Sequence, residues 1–160
     1  MLRKIKNMVT EAVAYLGIII LILGSAMMIF GVRTFITMSG SMEPNIQTGS
    51  LCFVNTRASF DDVEEGDVIA FETSSGALVT HRVIGKDENG LVLVTKGDNN
   101  DVEDGPTTTM ENFRGETLFS IPYLGYALSL FQKTQYKMML GIVVAALLLL
   151  IGIDFFTSKK

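Results

Sequence analysis

The stretch 77–95 reads ALVTHRVIGKDENGLVLVT and contains two apolar runs separated by a polar turn. The runs, 77–85 and 91–95, are rich in Leu, Val and Ile, and the segment between them ends in Asn89-Gly90. Asn-Gly between two such runs favours a tight turn between antiparallel strands. The stretch therefore predicts a β-hairpin that carries His81 in its first strand.

Further short strands are predicted on both sides of this hairpin, at 50–55, 67–72 and 113–121. Turn signals bound them, among them Gly66 before the second of these strands and Pro122 after the third. Many short strands within about 100 residues indicate a compact β-barrel or sandwich. The predicted fold class is mainly β.

Two long apolar runs flank this β-rich region. Residues 12–32 carry no charge, and residues 138–156 carry only Asp154. Each run is about as long as the ~20 apolar residues that a helix needs to cross a bilayer. The first run exceeds the ~7–15 residues of a secretory signal core, and no good small-x-small cleavage site follows it. We therefore predict two transmembrane helices that remain in the protein.

The flanking cations predict how the chain is arranged across the membrane. Basic residues lie at both termini, namely Arg3, Lys4, Lys6, Lys159 and Lys160. The positive-inside rule then places both ends in the cytoplasm. The predicted domains are a basic N-terminus (1–11), a span (12–32), an extracytoplasmic β-rich domain (33–137), a second span (138–156) and a tail (157–160).

The region between the spans is acidic, with 15 Asp and Glu against 7 Lys and Arg over residues 34–137. Binding to phosphate backbones needs concentrated cations, so nucleic acid is excluded as a partner. The same charge disfavours tight docking on anionic lipid head groups. The acidic balance therefore argues against both of these partners.

Three features of this region can carry chemistry. His81 is its one histidine, and histidine is the commonest general base near neutral pH. Ser39-Gly40-Ser41 offers two hydroxyls around a glycine, although the same triplet is common in turns. The acidic loop 95–104 could be a solvated loop, a calcium loop or the carboxylate end of a triad, and its spacing fails the EF-hand pattern.

Cys52 offers a competing scheme, in which a cysteine and a histidine act as in the sortase transpeptidases. In sortases the histidine precedes the cysteine, whereas Cys52 precedes His81 here. Cys52 also lies in an apolar predicted strand, which favours a buried inert thiol.

Taken together, five segments in order resemble signal peptidase I of the endoplasmic-reticulum type, a branch also found in archaea and some Gram-positive bacteria. They are SGSMEP (39–44), GDVIA (66–70), HRV (81–83), TKGDNN with VED (95–104) and IPYLG (121–125). The resemblance implies a membrane-bound serine endopeptidase that cleaves N-terminal signal peptides from secreted preproteins after small residues. It implies no metal and no cofactor.

The resemblance also implies roles by position. Ser41 would be the nucleophile and His81 its base, where bacterial-type enzymes carry lysine. Asp104 would orient the histidine and Asp98 would be a second nearby acid, with the choice between them open. The Ser41 backbone N–H and the Ser39 hydroxyl would hold the oxyanion, with Met42 beside them in the substrate site. Shallow pockets near Ile46 and Leu51 would select small residues.

The same resemblance sets the expected location and partners. The protein is expected in the cell membrane, or in the endoplasmic-reticulum membrane if the source is eukaryotic, with its catalytic domain on the extracytoplasmic side. Expected partners are preproteins, the bilayer and the protein translocation machinery. The alternative function is a catalytically inactive two-span subunit whose β-domain binds a partner.

Overall fold

The computed structural model describes residues 2–104 and 106–132, which form an apolar N-terminal helix followed by a β-domain. The helices are α1 (Leu2–Ile29) and α2 (Leu124–Gln132). The strands are β1 (Val32–Ile36), β2 (Leu51–Asn55), β3 (Val68–Glu72), β4 (Leu78–Lys86), β5 (Leu93–Lys96), β6 (Pro106–Thr108) and β7 (Phe113–Ile121).

Helix α1 is exposed and apolar along most of its length. Its segment Asn7–Ile29 has 23 residues, a mean hydropathy of 2.5 and no buried share. At ~1.5 Å per residue such a segment exceeds the ~30 Å hydrocarbon core of a bilayer. Within the described residues it is the one helix that is long and apolar enough to cross a membrane.

The end of α1 differs from the predicted span, which ran to residue 32. The helix ends at Ile29, and Gly31 follows with φ of +73°, a left-handed conformation that suits glycine after a helix. Val32 then begins β1. The apolar composition continued through this boundary and did not reveal it.

The strands form one antiparallel sheet in the order β1-β2-β7-β3-β4-β5-β6. It is a single connected sheet and not the two separate sheets of a sandwich. The last long strand, β7, lies between β2 and β3 and pairs with both. This insertion brings the segment that leads to α2 into the middle of the domain.

The core lies on one side of β3, β4 and β5. Its buried side chains are Phe60, Val63, Ile69, Phe71, Val83 and Leu93. A second cluster joins Met42, Ile46 and Cys52, with Val68 packed against it. Since removal of a large buried side chain costs ~2–5 kcal/mol, these clusters hold the strands that carry the candidate site.

Helix α2 follows β7 and packs against the end of β1 and the loop that leads into β2. The ring of Tyr126 covers Gly49, where a Cβ atom would come within 2.1 Å of the ring. Gly49 has φ of +80°, so both the ring and the backbone favour glycine there. Gly125 is close to the backbone of Gly49 and Ser50.

The coarse prediction of a mainly β fold with an apolar N-terminal helix is confirmed. The hairpin of β4 and β5 is present, and β7 spans 113–121 as predicted. The sequence did not predict β1, β6 or α2. The second predicted span, 138–156, and the tail, 157–160, lie outside the described residues.

Candidate active site

Ser41 lies in a tight loop between β1 and β2. The Glu43 N–H donates to the Gly40 carbonyl (3.1 Å), and the Ile46 N–H donates to the Met42 carbonyl (2.8 Å). The Met42 side chain has no exposed surface. Because this neighbour is anchored in the core, the loop holds the Ser41 hydroxyl toward β4.

Glu43 stabilises the same loop. Its Oε1 atom accepts hydrogen bonds from the Thr48 hydroxyl (2.7 Å) and the Thr48 N–H (3.2 Å). These two bonds lower the pKa of Glu43 from its ordinary value, the hydroxyl having the larger effect. The carboxylate therefore stays ionised near neutral pH and holds residues 43 and 48 of the loop together.

His81 projects from β4 and is 7% exposed. Its Nε2 atom lies 3.0 Å from Ser41 Oγ. The ring of Phe71 on β3 approaches the imidazole edge-on, with ring centroids 6.1 Å apart. A central strand and a packed ring thus fix the imidazole next to the serine hydroxyl.

Asp104 contacts the opposite side of the imidazole, where its Oδ2 atom meets His81 Nδ1. The same oxygen accepts a hydrogen bond from Thr95 Oγ1 at 2.8 Å, and the Asp104 N–H donates to the Thr95 carbonyl at 2.8 Å. A carboxylate can only accept, so His81 Nδ1 carries the proton. Nε2 is then free to accept the proton of Ser41.

Asp98 does not contact His81. Its two oxygens accept hydrogen bonds from Arg82 Nε (2.8 Å) and Nη2 (2.7 Å), and Oδ2 also accepts one from Asn45 (2.7 Å). The bonds from Arg82 first, and then the bond from Asn45, lower the pKa of Asp98 against the opposing effect of burial. Asp98 therefore links the base strand to the nucleophile loop.

The other predicted site residues lie close to Ser41. Ser39 Oγ is 3.2 Å from Ser41 Oγ and is exposed. Met42 is fully buried, backbone included, so it offers no exposed surface to a substrate. Cys52 is fully buried with its sulfur 3.1 Å from Thr37 Oγ1, and burial raises the pKa of its thiol.

Two hollows open beside His81. One, of about 510 Å³, runs past Ser41 between residues 35–39 and residues 78–81. The other, of about 700 Å³, lies on the Asp104 side and reaches Arg114. Ile46 and Leu51, suggested from the sequence as pocket residues, line neither hollow because both side chains are buried.

Sequence reasoning assigned no role to Thr95, Arg82 or Asn45. Thr95 is fully buried and holds Asp104, while Arg82 and Asn45 hold Asp98. Arg82 lies in the segment 81–83 and Thr95 in the segment 95–104, two of the five segments on which the resemblance rests. Their contacts join residues at least nine positions apart, and no local pattern encodes them.

A serine in contact with a histidine that contacts a carboxylate is an arrangement shared by serine hydrolases on unrelated folds. Here it lies in a small β-domain that follows an apolar helix. The chain belongs to the signal peptidase family, described as "Signal peptidase, peptidase S26", which matches residues 9–90. It is a serine peptidase of that family.

Relatives from bacteria and fungi support this assignment. Signal peptidase I W of Bacillus subtilis is 38% identical over 97 residues, covering 59% of this chain and 51% of the relative. Signal peptidase complex catalytic subunit SEC11 of Eremothecium gossypii is 34% identical over 129 residues, covering 73% and 76%. SEC11 of Fusarium vanettenii is 30% identical over 154 residues, covering 83% of this chain and 90% of the relative. The match thus spans about half the length of the Bacillus protein and most of the fungal ones.

Proposed function

We propose that this chain is a membrane-bound serine endopeptidase that cleaves N-terminal signal peptides from preproteins after small residues. The observation that carries the proposal is the contact of Ser41 Oγ with His81 Nε2, together with that of His81 Nδ1 with Asp104, in a member of the signal peptidase family. The relatives are named as signal peptidases or as catalytic subunits, which favours an active enzyme over an inactive subunit.

The reaction proceeds in two steps. His81 Nε2 takes the proton of Ser41 as Oγ attacks the carbonyl carbon at the end of the signal peptide. The carbon–nitrogen bond breaks, His81 returns the proton to the leaving amine, and an ester remains on Ser41. Water then attacks the ester with His81 again as base, which releases the signal peptide and restores the serine. Asp104 stabilises the imidazolium formed in each step.

The negative oxygen of each tetrahedral intermediate needs donors. The Ser41 N–H and the Ser39 hydroxyl are the proposed pair, and loss of one such donor typically slows a reaction ~10²- to 10³-fold. Within the described residues, no recorded protein acceptor takes a hydrogen bond from the Ser41 N–H.

The hollow beside Ser41 is the proposed binding site for the residues before the cut. The residues that line it include the apolar Phe35, Ile36 and Val79, together with Ser41 and His81. Its volume of about 510 Å³ is modest for a peptide several residues long. Small side chains next to the cut are therefore favoured.

The proposed membrane arrangement places residues 1–11 and 157–160 in the cytoplasm and residues 33–137 outside. A span within α1 that ends by Ile29, and a second span at 138–156, would connect them, in the cell membrane or the endoplasmic-reticulum membrane. The cations at the termini and the apolar segment Asn7–Ile29 support this arrangement. Bilayer lipid, preproteins and the translocation machinery are the proposed partners.

Cleavage of a preprotein by the purified full-length chain in liposomes tests the function. The substrate should carry a signal peptide ending in Ala-x-Ala, and mass spectrometry should locate the cut. We expect Ser41→Ala and His81→Ala to abolish cleavage, and Ser59→Ala, an exposed serine away from the site, to retain it. Wild-type cleavage by Ser41→Ala would refute the assignment, and no cleavage by the wild type would favour the inactive subunit.

A further inference from the structure

The two peptide units around Ser41 are each held through their carbonyl groups. A trans peptide unit is planar, with its C=O and its N–H on opposite sides. The Gly40 carbonyl thus shares a plane with the Ser41 N–H, and the Ser41 carbonyl shares one with the Met42 N–H. A contact that fixes either carbonyl also fixes the direction of the N–H across that plane.

One residue donates to both of these carbonyls. The Asn99 N–H donates to the Ser41 carbonyl at 2.8 Å, and Asn99 Nδ2 donates to the Gly40 carbonyl at 3.3 Å. Asn99 is 58 positions from Ser41 in the sequence and lies in the loop that also carries Asp98. The loop that supplies the carboxylates therefore also holds the backbone of the nucleophile.

The turn that carries Asn99 is packed directly on Ser41. The Asn100 N–H donates to the Gly97 carbonyl at 2.9 Å and closes the turn. A Cβ atom on the buried Gly97 would come within 2.6 Å of the Ser41 carbonyl oxygen. The close packing of Gly97 on the Ser41 carbonyl fixes the distance between the turn and the loop that carries Ser41. The Asn99 side chain can therefore reach the Gly40 carbonyl without any movement of the backbone.

We propose that Asn99 is a positioning residue that orients the backbone N–H of Ser41 for the oxyanion through its side-chain contact with the Gly40 carbonyl. This inference rests on the proposed function, because it presumes that Ser41 Oγ attacks a carbonyl. Among the described residues, the hydrogen bonds of Asn99 go to the carbonyls of Gly40 and Ser41 and not to Ser41 Oγ or His81. Asn99 acts through the peptide plane between Gly40 and Ser41, and its hydrogen bond also polarises that peptide unit, since linked hydrogen bonds strengthen one another.

The orientation of the Gly40–Ser41 peptide plane matters more in the transition state than in the bound substrate. Oxyanion donors act at ~2.7–3.1 Å from the developing charge, where a small tilt of the donor is costly. A neutral carbonyl in the bound substrate responds less to the same tilt. Loss of the Asn99 side chain should therefore lower kcat and leave substrate affinity nearly unchanged.

The test compares two ligands of the full-length protein in detergent micelles. One is a peptide with small residues at its last and third-last positions, ending in an aldehyde. Ser41 Oγ adds to the aldehyde carbon, and the resulting tetrahedral adduct presents an oxygen to the oxyanion donors. The other is an uncleavable peptide of the same sequence with proline after the cut, which reports ground-state binding.

We expect Asn99→Ala to weaken aldehyde binding and to lower kcat ~3- to 10-fold, the effect of about one hydrogen bond. The dissociation constant of the uncleavable peptide should stay within twofold of the wild-type value, and the melting temperature should stay within about 2 °C. Asn99→Asp keeps the shape and removes the donor, so it should weaken aldehyde binding at least as much. Asn89→Asp, in the exposed turn between β4 and β5, is the matched control for charge and should bind both ligands normally.

Three outcomes would overturn the inference. Unchanged aldehyde binding by Asn99→Ala would exclude the donor role. Equal weakening for both ligands would indicate a general distortion of the site. An effect confined to Asn99→Asp would indicate charge. The Ser41→Ala variant separates these failures from failure of the proposed function, because unaltered aldehyde binding by that variant would mean that Ser41 is not the nucleophile.

Discussion

Replacement of Asp104 by Asn tests which acid supports His81. The variant keeps the size of the side chain and leaves Asp98 and its bonds to Arg82 intact. It removes the negative charge that faces the imidazole, while the amide of Asn can still form a hydrogen bond with the Thr95 hydroxyl. An amide nitrogen turned toward His81 Nδ1 would also favour the tautomer that cannot accept the Ser41 proton.

The expected loss follows from the burial of the pair. The side chains of His81 and Asp104 are 9% and 20% exposed, so the site is shielded without being fully dry. At an effective dielectric constant of ~20, two unit charges ~4 Å apart attract by ~4 kcal/mol. Since each ~1.4 kcal/mol changes a rate tenfold, Asp104→Asn should lower kcat ~10³-fold. Asp98→Asn, whose side chain meets Arg82 and Asn45, should lower it less than ~10-fold.

Single-turnover cleavage of a preprotein at saturating enzyme measures this difference, because it isolates the chemical step from product release. Thermal unfolding of each variant shows whether the protein is folded at the assay temperature. A folded Asp104→Asn variant with more than a tenth of the wild-type rate would refute the reasoning. So would a folded Asp98→Asn variant that loses ~10³-fold, since Asp98 would then act as the partner of the histidine.

Three further predictions concern stability and the competing thiol. The pKa of Asp98 is lower in the folded protein than in the unfolded chain, so ionised Asp98 stabilises the fold. This stabilisation is complete above the unfolded carboxyl pKa of ~3.9 and is lost as the pH falls through the pKa of Asp98 in the folded protein. Denaturant unfolding should thus find Asp98→Asn less stable than wild type at pH 7, with a gap that shrinks below about pH 4; a gap independent of pH would contradict this. Gly49→Ala should lower the free energy of unfolding by ~1–3 kcal/mol, because Gly49 has a positive φ and lies under the Tyr126 ring, and unchanged stability would count against that packing. Cys52→Ala should keep cleavage within about twofold because the thiol is buried away from His81, and a folded but inactive variant would favour the cysteine scheme.

The sequence predicted the local elements of the β-domain well, because each strand carries its own apolar pattern. The hairpin of β4 and β5 shows this most clearly, since its turn residues lie between two apolar runs. Strand β1 was missed because Val32–Ile36 continues the apolar run of α1, and only its pairing with β2 makes it a strand. The position of β7 between β2 and β3 depends on long-range pairing and has no local signal.

The site was predictable in its residue types and less so in its contacts. Ser41, His81 and Asp104 stand in three separated segments, and the fold brings them into contact. The sequence left Asp98 and Asp104 as rivals because both match acids of the family resembled, and the loop between them departs from its pattern at Asp101 and Glu103. Their different contacts follow from the register of β4, in which His81 and Arg82 are adjacent and point to opposite sides of the sheet. Asp104 meets the first and Asp98 meets the second.

The most direct test of the central claim is to trap the covalent intermediate on Ser41. A preprotein mixed with excess enzyme should be quenched in acid within one turnover, and the enzyme should then be digested and analysed by mass spectrometry. The account predicts a signal-peptide ester on the peptide that contains Ser41, absent from Ser41→Ala and strongly reduced in His81→Ala. A cleaved preprotein with no adduct on Ser41, or with the adduct on Cys52, would contradict it.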